Sequence, residues 1–318
     1  MLLLFLSILG CARHSPHVER LPDGPAVVPA LQDGADEVLE RGARLYRTAS
    51  CVGCHSPPFD DATHLGGGRD LPTIFGVFYA PNISPDPEHG IGGWTEADFT
   101  RAMREGRAPD GHRYWPTFPY MTYTAMSDAD VHALWVYLQS QPAVPTPSRP
   151  HEVKAPYGMP GMLGLWRTVA FRKGPLDGDP AADESWNRGQ YLVRAVSYCD
   201  QCHTPRSALG LVKKRHFMAG GANPAKADVH PNLTSDPEVG IGTWSEDDLV
   251  HYLQTGQKPD GTVTDAKDIM AEKIHDSFSH HTPDDLRAIA EYVHSLPPDD
   301  FDPADWGLVK RRRRRLAR

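Results

Sequence analysis

Basic residues are scarce over most of this chain. Lys and Arg number 33 against 41 Asp and Glu, and the formal net charge is −8. Seven of the basic residues fall in the last nine positions, Lys310 to Arg318. The remainder holds 26 basic against 41 acidic residues, a net −15. A body this acidic excludes nucleic acid as the main partner, because phosphate backbones are bound through clustered Lys and Arg. No glycine-rich loop follows a strand, which removes dinucleotide cofactors from consideration. Sites for flavin, a quinoprotein cofactor or molybdenum are missing too. No run of alternating strands is present, so the fold is expected to be mainly α. The apolar run at the start, M-L-L-L-F-L-S-I-L-G, has about ten residues, roughly half of what crosses a bilayer.

Cysteine is also scarce, and its placement is informative. Four of only five cysteines occupy two identical frames, C-V-G-C-H at 51–55 and C-D-Q-C-H at 199–203. Two thiols three positions apart on a helical turn can add across the two vinyl groups of one protohaem, and the next histidine then reaches the iron. C-x-x-C-H is the haem c attachment signal. Cys51, Cys54, Cys199 and Cys202 are thus candidate thioether positions, His55 and His203 candidate proximal ligands. A carbonyl near Pro57 or Pro205, two residues beyond each histidine, is the expected acceptor for its Nδ1–H. Three rivals fit less well. A thioredoxin-like redox pair lacks its βαβ context. A shared four-thiolate zinc site would draw both halves onto one metal. Disulfides within C-x-x-C are strained and rarely structural.

The fifth cysteine, Cys11, ends Ile8-Leu9-Gly10-Cys11, which resembles a bacterial lipoprotein processing box. It is the candidate lipidation site, and an anchor there would hold the protein at the periplasmic face of the inner membrane. The run before it lacks a positive leading region, so it is an imperfect export signal. The Arg-rich tail is a candidate contact for anionic lipid or an acidic partner.

With 318 residues, 40% hydrophobic and 23% charged, the chain has room for two folded domains. Thirty prolines and 28 glycines predict short helices joined by long loops. One unit is written twice. R-G-A-R-L-Y-R-T-A-S precedes the first cysteine pair and R-G-Q-Y-L-V-R-A-V-S-Y the second. P-N-I-S-P-D-P-E-H-G-I-G-G-W-T-E-A-D-F at 81–99 is answered by P-N-L-T-S-D-P-E-V-G-I-G-T-W-S-E-D-D-L at 231–249. Helix starts are marked by Thr95 with Asp98, Ser245 with Asp248, Ser127 with Asp130, and Thr282 with Pro283 and Asp285. The expected organisation is a leader and lipoprotein box (1–11), a linker (12–37), a first domain (38–140), a Pro-rich connector with a short helix at Trp166 (141–183), a second domain (184–298) and a basic tail (299–318).

A sixth iron ligand should come from late in each unit. Methionine there suits electron transfer. In the second unit Met270 is the candidate, with His275, His280 and His281 as competitors. In the first the residues leave Met126 and Met121 both open.

Taken together, these motifs resemble the multihaem cytochrome c subunits of bacterial membrane-associated dehydrogenases, of the alcohol, gluconate and sorbitol type. The resemblance covers about 38–298. It rests on Asn82 to Trp94 and Asn232 to Trp244, on Trp115-Pro116-Thr117-Phe118-Pro119-Tyr120, on C-H-T-P-R at 202–206 and on M-A-E at 270–272. It implies a tandem repeat of two class I cytochrome c-like domains and two covalently bound haem c groups, with Met270 as an iron ligand. Some relatives carry Met where Phe118 stands here, which shifts the first-site choice toward Met126. Asn82 and Asn232 would shape loops around the haem propionates, a part that a capping Asn in a turn explains equally well. Such relatives usually carry three haems and a C-terminal membrane-binding segment, and this chain departs from both patterns.

The function implied is electron transfer from a dehydrogenase catalytic subunit to a quinone or terminal oxidase, with no bond chemistry of its own. The alternative is a haem enzyme, a dihaem peroxidase or a thiosulfate-type dehydrogenase, which needs one iron with a displaceable sixth ligand.

Overall fold

The structure is a computed structural model that describes residues 34–56, 64–223 and 228–303. Cys11, Pro57 and the basic stretch 310–318 lie outside the described residues. The chain is mainly helical with small antiparallel sheets. In order, the first elements are α1 (Ala35–Thr48), α2 (Cys51–His55), β1 (Asp70–Thr73), β2 (Gly76–Tyr79), α3 (Glu96–Glu105), α4 (Tyr120–Tyr123) and α5 (Asp128–Gln139). β3 (Glu152–Val153) and α6 (Met162–Ala170) follow. Then come α7 (Glu184–Tyr191), which runs into a π-helical turn at Leu192–Val196, and α8 (Cys199–His203). β4 (Gly221–Asn223), β5 (Asp228–His230), α9 (Glu246–Thr255), α10 (Ile269–Asp276) and α11 (Pro283–His294) complete the described fold.

Capping residues start the helices where the sequence predicts. Thr95 Oγ1 accepts from Asp98 N at 3.2 Å and the Asp98 carboxylate accepts from Thr95 N at 3.1 Å, a closed capping box. Ser245 and Asp248 repeat it at the start of α9. Ser127 Oγ accepts from Asp130 N at 3.1 Å, but the Asp130 carboxylate turns away to Arg41 Nε, 2.6 Å, and to the Tyr191 hydroxyl. Thr282 caps α11, with Pro283 in the first turn, where a missing N–H costs nothing.

Two helix pairs carry the packing: α1 on α5, and α7 on α11. Each crosses at a glycine. A side chain on Gly42 would stand 2.1 Å from the Ala133 carbonyl oxygen; one on Gly189 would stand 1.9 Å from that of Ala288. Only a bare Cα lets the backbones approach this closely. Tyr46, Leu134 and Leu138 fill one end of the apolar core, and Val193, Leu286 and Ile289 the other.

The sheets are the part the helical reading omits. β1, β2 and β3 form an antiparallel sheet with Asp70 opposite Tyr79 and Gly76 opposite Val153. β4 and β5 pair with Gly221 opposite His230. Two to four residues per strand are too few to leave an alternating pattern in the sequence. The segment after α5 lies against the molecule through β3 and through Asn82, whose Nδ2 donates to the carbonyls of Val144 (2.7 Å) and Thr146 (2.9 Å). Arg167 of α6 donates to the Glu105 carbonyl at 2.5 Å.

Gly42→Ala and Gly189→Ala are each expected to cost about 1–3 kcal/mol, the usual range for overpacking. Gly93, whose added methyl would meet only the Pro87 carbonyl at 3.6 Å, serves as the tolerant control. Denaturant midpoints check this; equal midpoints for all three variants would contradict the crossing geometry.

Candidate functional site

The two C-x-x-C-H segments fold alike. Each is a five-residue helix entered through a left-handed residue, Ser50 (φ 54°) before α2 and Tyr198 (φ 42°) before α8. Each leaves through an extended one, Ser56 and Thr204. A left-handed conformation costs a non-glycine residue roughly 1–3 kcal/mol, tolerated where the surroundings impose it. Here it turns the chain sharply off the approach helix and puts both cysteines and the histidine on one short helix.

The histidine rings are held by distant carbonyls. His55 Nδ1 lies 2.8 Å from Pro81 O, and His203 Nδ1 lies 2.9 Å from Pro231 O. A carbonyl only accepts, so Nδ1 carries the proton and Nε2 is the nitrogen with a lone pair to offer. The acceptors are therefore not near Pro57 or Pro205; they sit 26 and 28 residues beyond the histidines, at the first proline of each P-N-[IL]-[ST] segment. That segment is a rigid turn. Asn82 Oδ1 accepts from Ser84 N at 2.8 Å, and Asn232 Oδ1 from Thr234 N at 2.8 Å. Asn232 Nδ2 then donates to Asp299 O at 2.7 Å, as Asn82 does to Val144 and Thr146. Burial pushes both imidazoles toward the neutral form, His203 to about 4. Neutral imidazole is the form that coordinates metal.

None of the four motif cysteines is paired in a disulfide. Burial pushes Cys51 and Cys199 up to about 12, and Cys202 up as well. Among the described residues no cluster of three or more His, Cys, Asp or Glu is placed to hold a metal ion. Among the described residues the four motif cysteines thus form neither a shared metal cluster nor a disulfide.

Cys51, Cys54 and His55 open onto a cavity of about 1180 Å³. Its walls are mostly apolar: Trp94, Phe99, Met103, Phe118, Tyr123 and Leu138 among them. It extends past Arg69 and Lys273 to Tyr198 and Cys202 of the second attachment segment. In the second half, Trp244, Leu249, Tyr252, Leu253 and Met270 gather in the core with Cys199. A covalently held haem needs an apolar slot with two thiols at its edge and one neutral imidazole; the residues present fit that group.

The candidate sixth ligands are placed unequally. Met270 stands at the start of α10, its N–H capped by Asp268 Oδ1 at 2.9 Å, and packs against the core. Met126 is 1% exposed within the core and is not among the cavity walls; Met121, on α4, is not either. Met270 does not line this cavity either, although Ile269, Glu272 and Lys273 beside it do. Met103 of α3 does line it, although nothing in its helical setting singled it out. His275 pairs with Asp276 at the surface. His281 is buried, stacked on Phe278 at 5.7 Å, with Nε2 3.3 Å from Ser197 Oγ.

One arrangement had no signal in the sequence. α10, which carries Met270, packs against α2. Glu272 takes both terminal nitrogens of Arg69, which also donates to the Gly53 carbonyl inside the first C-x-x-C-H. Lys273 donates to the Tyr198 hydroxyl, just ahead of the second motif. A side chain at Gly53 would come within 3.2 Å of the Glu272 carboxylate.

Paired attachment helices of this kind, each with its imidazole fixed by a proline carbonyl and the first opening onto an apolar cavity, define a c-type cytochrome. A cytochrome c family model matches residues 39–142. A diheme cytochrome c-type protein of Cereibacter sphaeroides is 38% identical over 277 residues, covering 85% of this chain and 89% of that one. The cytochrome c subunit of a quinone alcohol dehydrogenase of Gluconobacter oxydans is 34% identical over 277 residues, 84% of this chain and 56% of its own. A gluconate 2-dehydrogenase cytochrome c subunit of Pantoea cypripedii is 35% identical over 274 residues, 83% and 61%. The chain therefore spans nearly all of the diheme relative and little more than half of the dehydrogenase subunits. It belongs to the family of cytochrome c subunits of bacterial dehydrogenases, as a dihaem member with two covalently bound haem c groups.

His281 gives a pH test of the buried core. Burial, the main cause, depresses its pKa from 6.5 to about 4. Below pH 6.5 the unfolded chain takes up a proton that the folded chain refuses. Stability should therefore fall as pH drops from about 6.5 to about 4, by roughly 3 kcal/mol from this group. His281→Phe should flatten that slope in urea titrations; an unchanged slope would show that His281 does not contribute to it.

Proposed function

We propose that this protein is a dihaem electron carrier that takes electrons from a dehydrogenase catalytic subunit and delivers them to a quinone or terminal oxidase. The observation that carries the reading is the duplicated attachment helix, with its histidine fixed through Nδ1 to Pro81 O or Pro231 O. When bound, haem supplies a reversible one-electron change at iron. The chain supplies the rest. Cys51 and Cys54, then Cys199 and Cys202, are assigned as thioether positions, His55 and His203 as proximal ligands and Met270 as the second site's sixth ligand. Burial keeps the imidazoles neutral and water away, and the proline carbonyls hold the rings at one angle so that little rearranges between redox states.

The same residues support two class I cytochrome c-like domains at 38–140 and 184–298, joined by the connector 141–183. The recurring element order, α1 to α5 and then α7 to α11, is in keeping with that division. The dehydrogenase and quinone partners are carried over from what the relatives' names state. No described helix is long and apolar enough to cross a membrane. A periplasmic protein held at the inner membrane by lipid on Cys11 accords with the lipoprotein box.

Haem counting tests the assignment. The pyridine haemochrome assay should give two haem c per chain, and one for the Cys199→Ser/Cys202→Ser variant. Retention of two covalent haems in that variant would refute the assignment. In the same cells Cys11→Ser should move the protein from the membrane fraction to the soluble one; unchanged fractionation would remove the lipid anchor from the account.

A further inference from the structure

The two haem sites differ in what their late loops offer. In the second half the loop leads into α10, eight residues long, with Met270 in its first turn. In the first half it leads into α4, a single turn after Pro119. The residues that this loop presents to the cavity run from Tyr114 to Pro119, with Tyr123 beyond, and none carries sulfur.

Met126 cannot easily supply it. Met126 is buried in the core and does not line the cavity, whereas Phe118, Pro119 and Tyr123 of the same stretch do. Its backbone is pinned at both polar atoms, the N–H to Tyr123 O at 3.0 Å and the carbonyl to Arg104 at 2.7 Å. Ser127, the next residue, caps α5. Phe118 takes the place in the wall instead. Its ring meets Tyr114 at 5.7 Å and Tyr123 at 5.8 Å, both edge to face. The Tyr123 hydroxyl is committed to Ala49 O at 2.7 Å. Of two histidines at the cavity, His151 accepts from Tyr79 N through Nδ1 at 3.2 Å, which leaves its proton on Nε2, and His112, paired with Asp110 at 2.7 Å, is largely exposed.

We propose that the first haem takes no methionine from its late loop and admits a small neutral diatomic ligand, in the part of the cavity walled by Phe118, Tyr114 and Tyr123. The second haem is closed by Met270. The proposal rests on the haem attachments assigned above and adds a ligand-binding property that a plain electron carrier does not need. It makes the two haems chemically unlike: one is a protected relay, the other an iron that small molecules can reach.

Carbon monoxide on the dithionite-reduced holoprotein is the probe. The native chain should bind one carbon monoxide per two haems, with about half of the Soret amplitude shifting. Phe118→Met, which places a thioether in the wall, should abolish binding with two haems still attached. Met126→Leu and Met121→Leu should leave it unchanged, and Met270→Leu should raise it toward two per chain. A native chain that carries two haems and refuses carbon monoxide would overturn the proposal. In that case another wall residue, such as Met103 or His89, fills the position. Appearance of new binding at the first site in Met126→Leu would overturn it too. A haem count below two, by contrast, would fault the attachment assignment and not the ligand proposal.

Discussion

The bond from each motif histidine to a proline carbonyl is the constraint on which the rest depends. Nδ1 must donate, so Nε2 must be free, and the ring plane is set by a backbone atom that cannot rotate away. That demand reaches back through the fold. The carbonyl has to be delivered from 26 or 28 residues downstream, so the intervening loop must be anchored at its far end. Asn82 and Asn232 do this by closing a turn on one side and grasping the extended segment beyond the last helix of each half on the other. The left-handed Ser50 and Tyr198 do the matching task at the near end. Burial then depresses the imidazole pKa, so the same enclosure that fixes the ring also keeps it in the coordinating state.

A second constraint links the sites. α10 carries Met270, packed against the core, together with Glu272, which pairs with Arg69 of the first half, and Lys273, which bonds Tyr198 of the second. Arg69 ties Glu272 to the backbone between Cys51 and Cys54, while Lys273 reaches the hydroxyl next to Cys199. One cavity runs from the first attachment helix to Cys202. Movement of either attachment helix would have to break charge-assisted hydrogen bonds, which are stronger than neutral ones. The two sites are thereby held at a fixed separation, a property that an electron relay requires and a pair of loosely tethered domains would lack.

Much of this was legible in the residues because it is local. C-x-x-C-H is a five-residue motif, a capping box spans four, and the nineteen-residue agreement between 81–99 and 231–249 announces a duplicated turn and helix start. What escaped was set by tertiary context. The acceptor for the imidazole N–H was sought two residues away and lies in a segment brought back by the fold. The short strands pair through the backbone, which leaves little trace in side-chain choice. Met126, a ligand candidate because it precedes the last helix of the first half, lies in the core, while Phe118 stands in the cavity wall. The α2–α10 junction joins Gly53 and Arg69 to Glu272, about two hundred residues apart, where no spacing rule reaches.

The central claim is that the chain is one conductor with two sites locked together. Flash photoreduction of the oxidised holoprotein at less than one electron per chain tests it directly. If the sites are locked across the α2–α10 junction, the electron should redistribute between the two haems with a first-order rate that does not change with protein concentration. A redistribution rate that rises in proportion to protein concentration would mean that electrons pass between molecules, and would contradict the account.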